Sequence, residues 1–355
     1  MVVWKGKPLA ILVGAVIIAA SAGFLVGRYT APPPPAATDF LGVSASLYAR
    51  LAEGAAQGAG VDANFLAEGS LAGARQIALT RGTYSLFLSV DPAVIQAVLY
   101  PDLADWYIAL ARDRMVLGYS THSSDAALLA GWSAQISADL GAGDPGGALN
   151  LTRAVLDHVF AGNGTFGVSD PNTDPEGYRL LMELQLAGIL FYGDAGHYTA
   201  LLAAAQQAGR VVTVGAGSAL FSYVQSGQVD YDLALYLSAA EGASIPFVRL
   251  APQVDLGDVN ESAFYARASV NVTASGGTTT LHGAPIVLAA TIPTDAPLPA
   301  DAARIILYLL SPAGQARMSG MSIVPVSPAL FYGNAAGLEP TLKDVLGSSL
   351  LQTGA

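Results

Sequence analysis

With 355 residues, 52% of them hydrophobic and 12% charged, the chain has room for two domains and enough apolar content for a large core, which argues against a disordered protein. A net charge of −11 without a basic run argues against nucleic acid as a partner. The absence of cysteine rules out disulfides, thiolate catalysis and a cysteine-borne lipid anchor, and the four histidines (His122, His158, His197, His282) are scattered without metal-ligand spacing.

At the N-terminus, Lys5 and Lys7 precede an uncharged apolar run, 9–26. Its 18 residues, at about 1.5 Å each, come close to the ~30 Å hydrocarbon core. The pattern predicts a signal or transmembrane anchor over 1–27 with its N-terminus inside. Ala20-Ser-Ala22 also suits a cleavage site, so a removable signal peptide is the alternative. Residues 28–38, centred on Ala31-Pro-Pro-Pro-Pro-Ala36, read as a stiff linker. Either way the remainder is expected outside the cell. Asn150, Asn163, Asn260 and Asn271 each open an Asn-x-Ser/Thr triplet, which is compatible with that exposure.

From residue 39 onward, short apolar runs alternate with longer alanine-rich amphipathic ones. Residues 44–53, 69–80, 178–190, 216–226 and 300–318 read as helices. Residues 87–89, 115–119, 211–213 and 286–290 read as strands. Alternation of this kind predicts an α/β fold with a mostly parallel sheet. The stretch 275–280 reads as a hairpin tip.

One loop carries more chemistry than the rest: Ser169-Asp-Pro-Asn-Thr-Asp-Pro-Glu-Gly-Tyr-Arg179, followed at once by an apolar run. Asp174 fits a helix N-cap, Pro175 the first helical position and Glu176 the first turn. A helix start presents free N–H groups and suits an anion. A carboxylate beside an anion is repulsive, unless the anion's central atom accepts a carboxylate oxygen as a ligand.

This loop resembles that of archaeal tungstate/molybdate-binding proteins of ABC importers, Ser-Asn-Pro-Asn-Asp-Asp-Pro-Cys-Gly-Tyr-Arg. Further matches follow in the same order: Ala45-Ser-Leu47, Glu68-Gly-Ser-Leu-Ala72, Leu88-Ser-Val-Asp91, Ala104-Asp-Trp-Tyr107, Met115-Val-Leu-Gly-Tyr119, Gly227-Gln-Val-Asp-Tyr231 and Leu310-Ser-Pro-Ala-Gly314. Together they span about residues 40–333. The resemblance implies a two-lobe periplasmic-binding-protein type II fold joined by two crossover strands, placed near 115–120 and 285–291. Lobe one would be 39–117 plus 288–355, and lobe two 118–287. It implies a monomeric extracytoplasmic receptor that takes molybdate or tungstate in the interlobe cleft, hands it to an ABC permease, uses no cofactor and catalyses nothing.

The implied oxyanion-binding residues are Ser46, Ser70, Asp174, Gly177 and Tyr236. The two serines and the tyrosine would offer hydroxyls, Gly177 a backbone N–H, and Asp174 a direct ligand to the molybdenum or tungsten centre. The chain departs from the family at one point: the family's second carboxylate falls here on Leu235 or Ala234, unless Asp230 or Asp232 takes its place. That departure keeps other readings open, namely a receptor for another tetrahedral oxyanion such as sulfate, or a surface protein that binds nothing. An exported hydrolase finds little support, since there is no Gly-x-Ser-x-Gly elbow and no histidine spaced to serve Ser46 or Ser70.

Overall fold

The computed structural model describes residues 39–274 and 277–354; the expected anchor and linker lie outside the described residues. Among the described residues no helix is long and apolar enough to cross a membrane. The chain begins with β1 (Phe40–Ala45), a 3-10 turn Ser46–Tyr48, α1 (Ala49–Ala59), β2 (Ala63–Glu68), α2 (Ser70–Leu79), β3 (Leu86–Ser89), α3 (Pro92–Val98) and β4 (Trp106–Arg112). Next come β5 (Met115–Tyr119), α4 (Ala126–Ala142), α5 (Pro145–Ala161), β6 (Phe166–Ser169), α6 (Pro175–Tyr192), β7 (Val211–Val214), β8 (Tyr231–Tyr236) and β9 (Phe247–Arg249). The hairpin β10 (Ser269–Ala274) and β11 (Gly277–His282) precedes β12 (Val287–Thr291), β13 (Val324–Gly333) and β14 (Leu351–Thr353).

The strands sort into two main sheets, ordered β14-β13-β4-β12-β3-β1-β2 and β7-β6-β8-β5-β9. The first sheet takes strands from both ends of the described chain and the second takes the middle, so the molecule has two α/β lobes. The chain leaves lobe one at Asp113 and Arg114, since β4 belongs to the first sheet and β5 to the second. Residues 115–119, expected as part of a crossover, form a central strand of lobe two for their whole length, paired with β8 on one side and β9 on the other. The return lies at 283–286, because β12 pairs with β3 and β4 in lobe one.

Helix boundaries follow local chemistry. The helix expected over 44–53 begins at Ala49 instead: Ser44 and Ala45 end β1, and the 3-10 turn intervenes. The run 300–318 is two helices, Pro299–Leu310 and Pro312–Ser319. Pro312 lacks an N–H and drives Ser311 to an extended conformation (φ −69°, ψ 159°), from which the Ser311 hydroxyl caps the second helix through Gly314 N–H. α1 turns Leu51, Ala52, Ala55 and Ala56 inward, and the Pro299–Leu310 helix turns Ala302, Ile305, Ile306 and Leu309, so both lay one apolar stripe on the core. The asparagines of all four Asn-x-Ser/Thr triplets are exposed.

Candidate functional site

α6 starts from the loop that leaves the C-terminal end of β6, the end at which α/β sheets place ligands. Asp174 caps it as the sequence predicts: Oδ1 accepts from Glu176 N–H at 3.1 Å, and Pro175 fills the first helical position. Its second oxygen goes further afield and accepts from Gly217 N–H at 2.7 Å, fastening the turn Gly217–Ala219 to the helix start.

Lobe one meets this turn with the start of α2. Ala72 N–H donates to Thr173 C=O at 3.1 Å, and Arg75 Nη1 donates to Asn172 C=O at 2.7 Å. Gly69 lies so close that a Cβ there would stand 2.4 Å from the Thr173 oxygen and 2.9 Å from Asp174 Cα. Ser70 and Asp174 are therefore neighbours across the lobe boundary. Both are buried. The Ser70 hydroxyl oxygen accepts from Val90 N–H at 3.2 Å, which leaves its proton to donate elsewhere.

Ser46 opens the Ser46–Tyr48 turn, which packs on Gly217–Ala219, the turn that Asp174 holds. Half-buried, it lines an interlobe cavity of about 210 Å³ with Leu47, Arg50, Phe221 and Ser238. Ser70 and Asp174 do not line that cavity, so Ser46 stands at the side of the Ser70–Asp174 contact. Tyr236 ends β8, fully buried, and its hydroxyl accepts from Arg179 Nη1 at 3.2 Å. Gly177 is the exception. Its N–H is spent on Asp174 C=O at 3.1 Å, and its Cα packs against Ser169 C=O, where a Cβ would fall 2.2 Å from the oxygen. Gly177 is thus the glycine that lets α6 lie on the end of β6, and its amide has no free hydrogen for an anion.

Several residues at this junction are not among the expected binding residues, although the sequence leaves Asp232 open as a substitute carboxylate. Glu176 is 1% exposed and neither of its oxygens has a hydrogen-bond partner among the described residues. A Cβ at Gly217 would fall 2.0 Å from Glu176 Oε2, so glycine makes room for that carboxyl. Asp232, on β8 and 1% exposed, leaves Oδ2 unpartnered too. Burial pushes the Glu176 carboxyl well above its ordinary range, and the charges of Asp232 and Asp174 push it further. Burial, with Asp174 adding to it, raises Asp232 to about 7. Asp174 is raised by burial against the opposing pull of the Gly217 and Glu176 amides and the Arg179 charge. Held neutral, Glu176 adds no repulsion to an anion. Arg179, 2% exposed, is the buried cation nearest these groups. The sequence signal for it was its place in the loop motif; its burial depends on partners far away in the chain.

Another buried carboxylate lies at the passage between lobes. Asp113 accepts from the Tyr48 hydroxyl of lobe one at 2.5 Å and from the Ser238 hydroxyl of lobe two. Chemically, the junction presents hydroxyl donors and one capped carboxylate with lone pairs to spare. That equipment suits binding.

Comparison with known proteins agrees with this architecture. The family described as "Bacterial extracellular solute-binding protein" matches residues 42–320. An uncharacterized solute-binding protein of Methanoculleus marisnigri is 29% identical over 265 residues, 69% of this chain and 68% of its own. The molybdate/tungstate-binding protein WtpA of Pyrococcus abyssi is 24% identical over 283 residues, 76% of each chain. Among solved structures, the periplasmic molybdate-binding protein of Azotobacter vinelandii shares the fold with a TM-score of 0.51 at 19% identity, over 80% of this chain and 98% of that one.

Proposed function

The chain belongs to the family of bacterial extracellular solute-binding proteins, and from that premise we propose that its lobes close on a small tetrahedral oxyanion, molybdate or tungstate, for delivery to the permease of an ABC importer. The observation that carries the reading is the contact of the α2 start with the Thr173–Asp174 turn, which brings Ser70 of one lobe beside Asp174 of the other. Hydroxyls of Ser46, Ser70 and Tyr236 donate to the anion's oxygens. Each charge-assisted bond is worth roughly 1.5–3 kcal/mol net, so a handful reaches the ~8–12 kcal/mol of micromolar to nanomolar affinity before the costs of closure. With a net charge of −11, the protein attracts an anion by these local donors and not by its overall field.

Molybdate or tungstate is favoured over sulfate by Asp174. A d⁰ metal centre takes a carboxylate oxygen as a further ligand, whereas sulfate cannot. Sulfate is the second reading, supported by Leu235 and Ala234, which are buried in β8 and bring no oxygen where the family has its second carboxylate. The relative named as a molybdate/tungstate-binding protein supports the first. In this reading the protein works outside the membrane, held there by its N-terminal segment or released after cleavage, and needs no cofactor.

Calorimetric titration with molybdate, tungstate, sulfate and phosphate tests it. Tight tungstate or molybdate binding with no heat from sulfate or phosphate supports a metal-centred site. Comparable heats from sulfate move the reading to a hydrogen-bond site for oxyanions in general, and silence with all four overturns it.

A further inference from the structure

A second polar contact crosses between the lobes. Asp91 belongs to lobe one and caps α3, its Oδ1 accepting from Ala93 N–H at 2.9 Å. Its other oxygen faces lobe two. There Oδ2 accepts from the Tyr178 hydroxyl at 2.5 Å and lies 3.1 Å from Arg179 Nη2. Arg179 in turn donates through Nη1 to the Tyr236 hydroxyl at 3.2 Å. One carboxylate of lobe one is thus tied, through one buried guanidinium of lobe two, to a hydroxyl at the junction.

The direction of these bonds matters. A tyrosine oxygen that accepts from a cation keeps its single proton free, and the bond polarises that proton into a better donor. Arg179 holds this role when its charge is balanced, because a buried guanidinium without a counter-charge is costly. The balancing oxygen comes from the opposite lobe, so the arrangement is complete when the lobes are together.

We propose that Asp91 is a positioning residue for oxyanion capture: from across the cleft it fixes Arg179, and through Arg179 it sets the Tyr236 hydroxyl to donate to the anion. Closure and the readiness of one donor are thereby coupled. The inference rests on the oxyanion reading above.

Asp91→Asn is a clean probe. Asparagine keeps an oxygen for the α3 cap and caps about as well as aspartate. Its amide nitrogen replaces Oδ2 and points hydrogens at the hydrogens of Arg179 and Tyr178, so the interlobe bonds are cut while the cap survives. Tungstate affinity is measured by calorimetry in the wild type, Asp91→Asn, Tyr236→Phe and the double variant. Each single substitution is expected to weaken binding about tenfold or more, mainly through faster dissociation. The double variant is expected to lose little more than the weaker-binding single, because both changes disable one unit. Wild-type affinity in Asp91→Asn, or losses that multiply in the double variant, overturn the proposal. Should Asp91→Asn fail to fold, Tyr178→Phe removes one bond to the same oxygen and leaves the cap intact; a several-fold loss that does not multiply with Tyr236→Phe is expected, and an unchanged affinity overturns it. If the wild type binds none of the four oxyanions, the functional reading itself has failed, an outcome distinct from multiplying losses in a protein that binds.

Discussion

Asp174 accepts one N–H from its own helix and one from Gly217. An ionised carboxylate has about four lone-pair sites, so two remain for a ligand. Asparagine at this position still caps α6 but offers one oxygen in place of two and no charge. Asp174→Asn is therefore expected to lower tungstate affinity by about an order of magnitude or more, and to lower Tm as well, because the amide nitrogen that replaces Oδ2 cannot accept from the buried Gly217 N–H. Calorimetry and thermal unfolding check this, and unchanged affinity would leave Asp174 a helix cap alone. The cap was legible in the sequence because capping is local: Asp174, Pro175 and Glu176 are consecutive. Arg179 was not legible as a buried group, since its partner Tyr236 lies 57 residues away and the Tyr178–Asp91 bond beside it spans 87. Gly177 was read as an amide donor, but nothing in the sequence shows that a turn bond to Asp174 already uses that hydrogen.

At the scale of elements, the start of α2 is the part of lobe one that touches the α6 turn. Gly69 has an ordinary backbone conformation (φ −59°, ψ 139°), so alanine there is unstrained within lobe one. Its methyl would instead meet backbone atoms of Thr173 and Asp174 across the junction, which cannot yield as a side-chain tip would. Gly69→Ala should hold the lobes apart and weaken oxyanion binding about tenfold or more, while Tm moves little. Equal affinities for the two proteins would contradict the contact. The helices α2 and α6 were readable, α6 above all from its Asp174-Pro175 start. Strands such as β8, buried at all six positions, carry no alternation and look like any short apolar run. The break between the helices Pro299–Leu310 and Pro312–Ser319 had a visible cause in Pro312 that the longer apolar periodicity obscured.

Across the whole molecule, carboxyls away from the Ser70–Asp174 junction tie folding to pH. Asp255 is pushed up to about 7 by burial, against the opposing charge of Arg114. Burial raises Glu183 well above its ordinary range, with the Asp255 charge adding to it, and burial raises Asp113 at the passage between lobes. Unfolded carboxyls titrate near 4, so between about pH 4 and 7 the folded chain binds more protons than the unfolded one. The associated stability is present at the acidic end and is lost as pH rises through about 7. Scanning calorimetry should find Tm lower at pH 8 than at pH 5 by at least the ~1–2 °C that corresponds to about 1 kcal/mol in a chain of 355 residues. A Tm that rises over that interval would contradict the raised titration of these buried carboxyls. The two-lobe plan itself was legible through ordered motifs spread over most of the chain. The exact passages between lobes were not, because a strand that crosses and a strand that pairs on both sides share the same apolar pattern.

The proposed seat of the oxyanion is the place where the α2 start meets the α6 turn. Crystals grown with tungstate test it through the anomalous scattering of tungsten, which locates the metal without reference to the protein. One strong peak is expected between the Ser70 hydroxyl and the Asp174 carboxylate, with the Tyr236 hydroxyl in reach of the anion. Tungsten found on an outer surface, or absent from that junction at saturating tungstate, would contradict it.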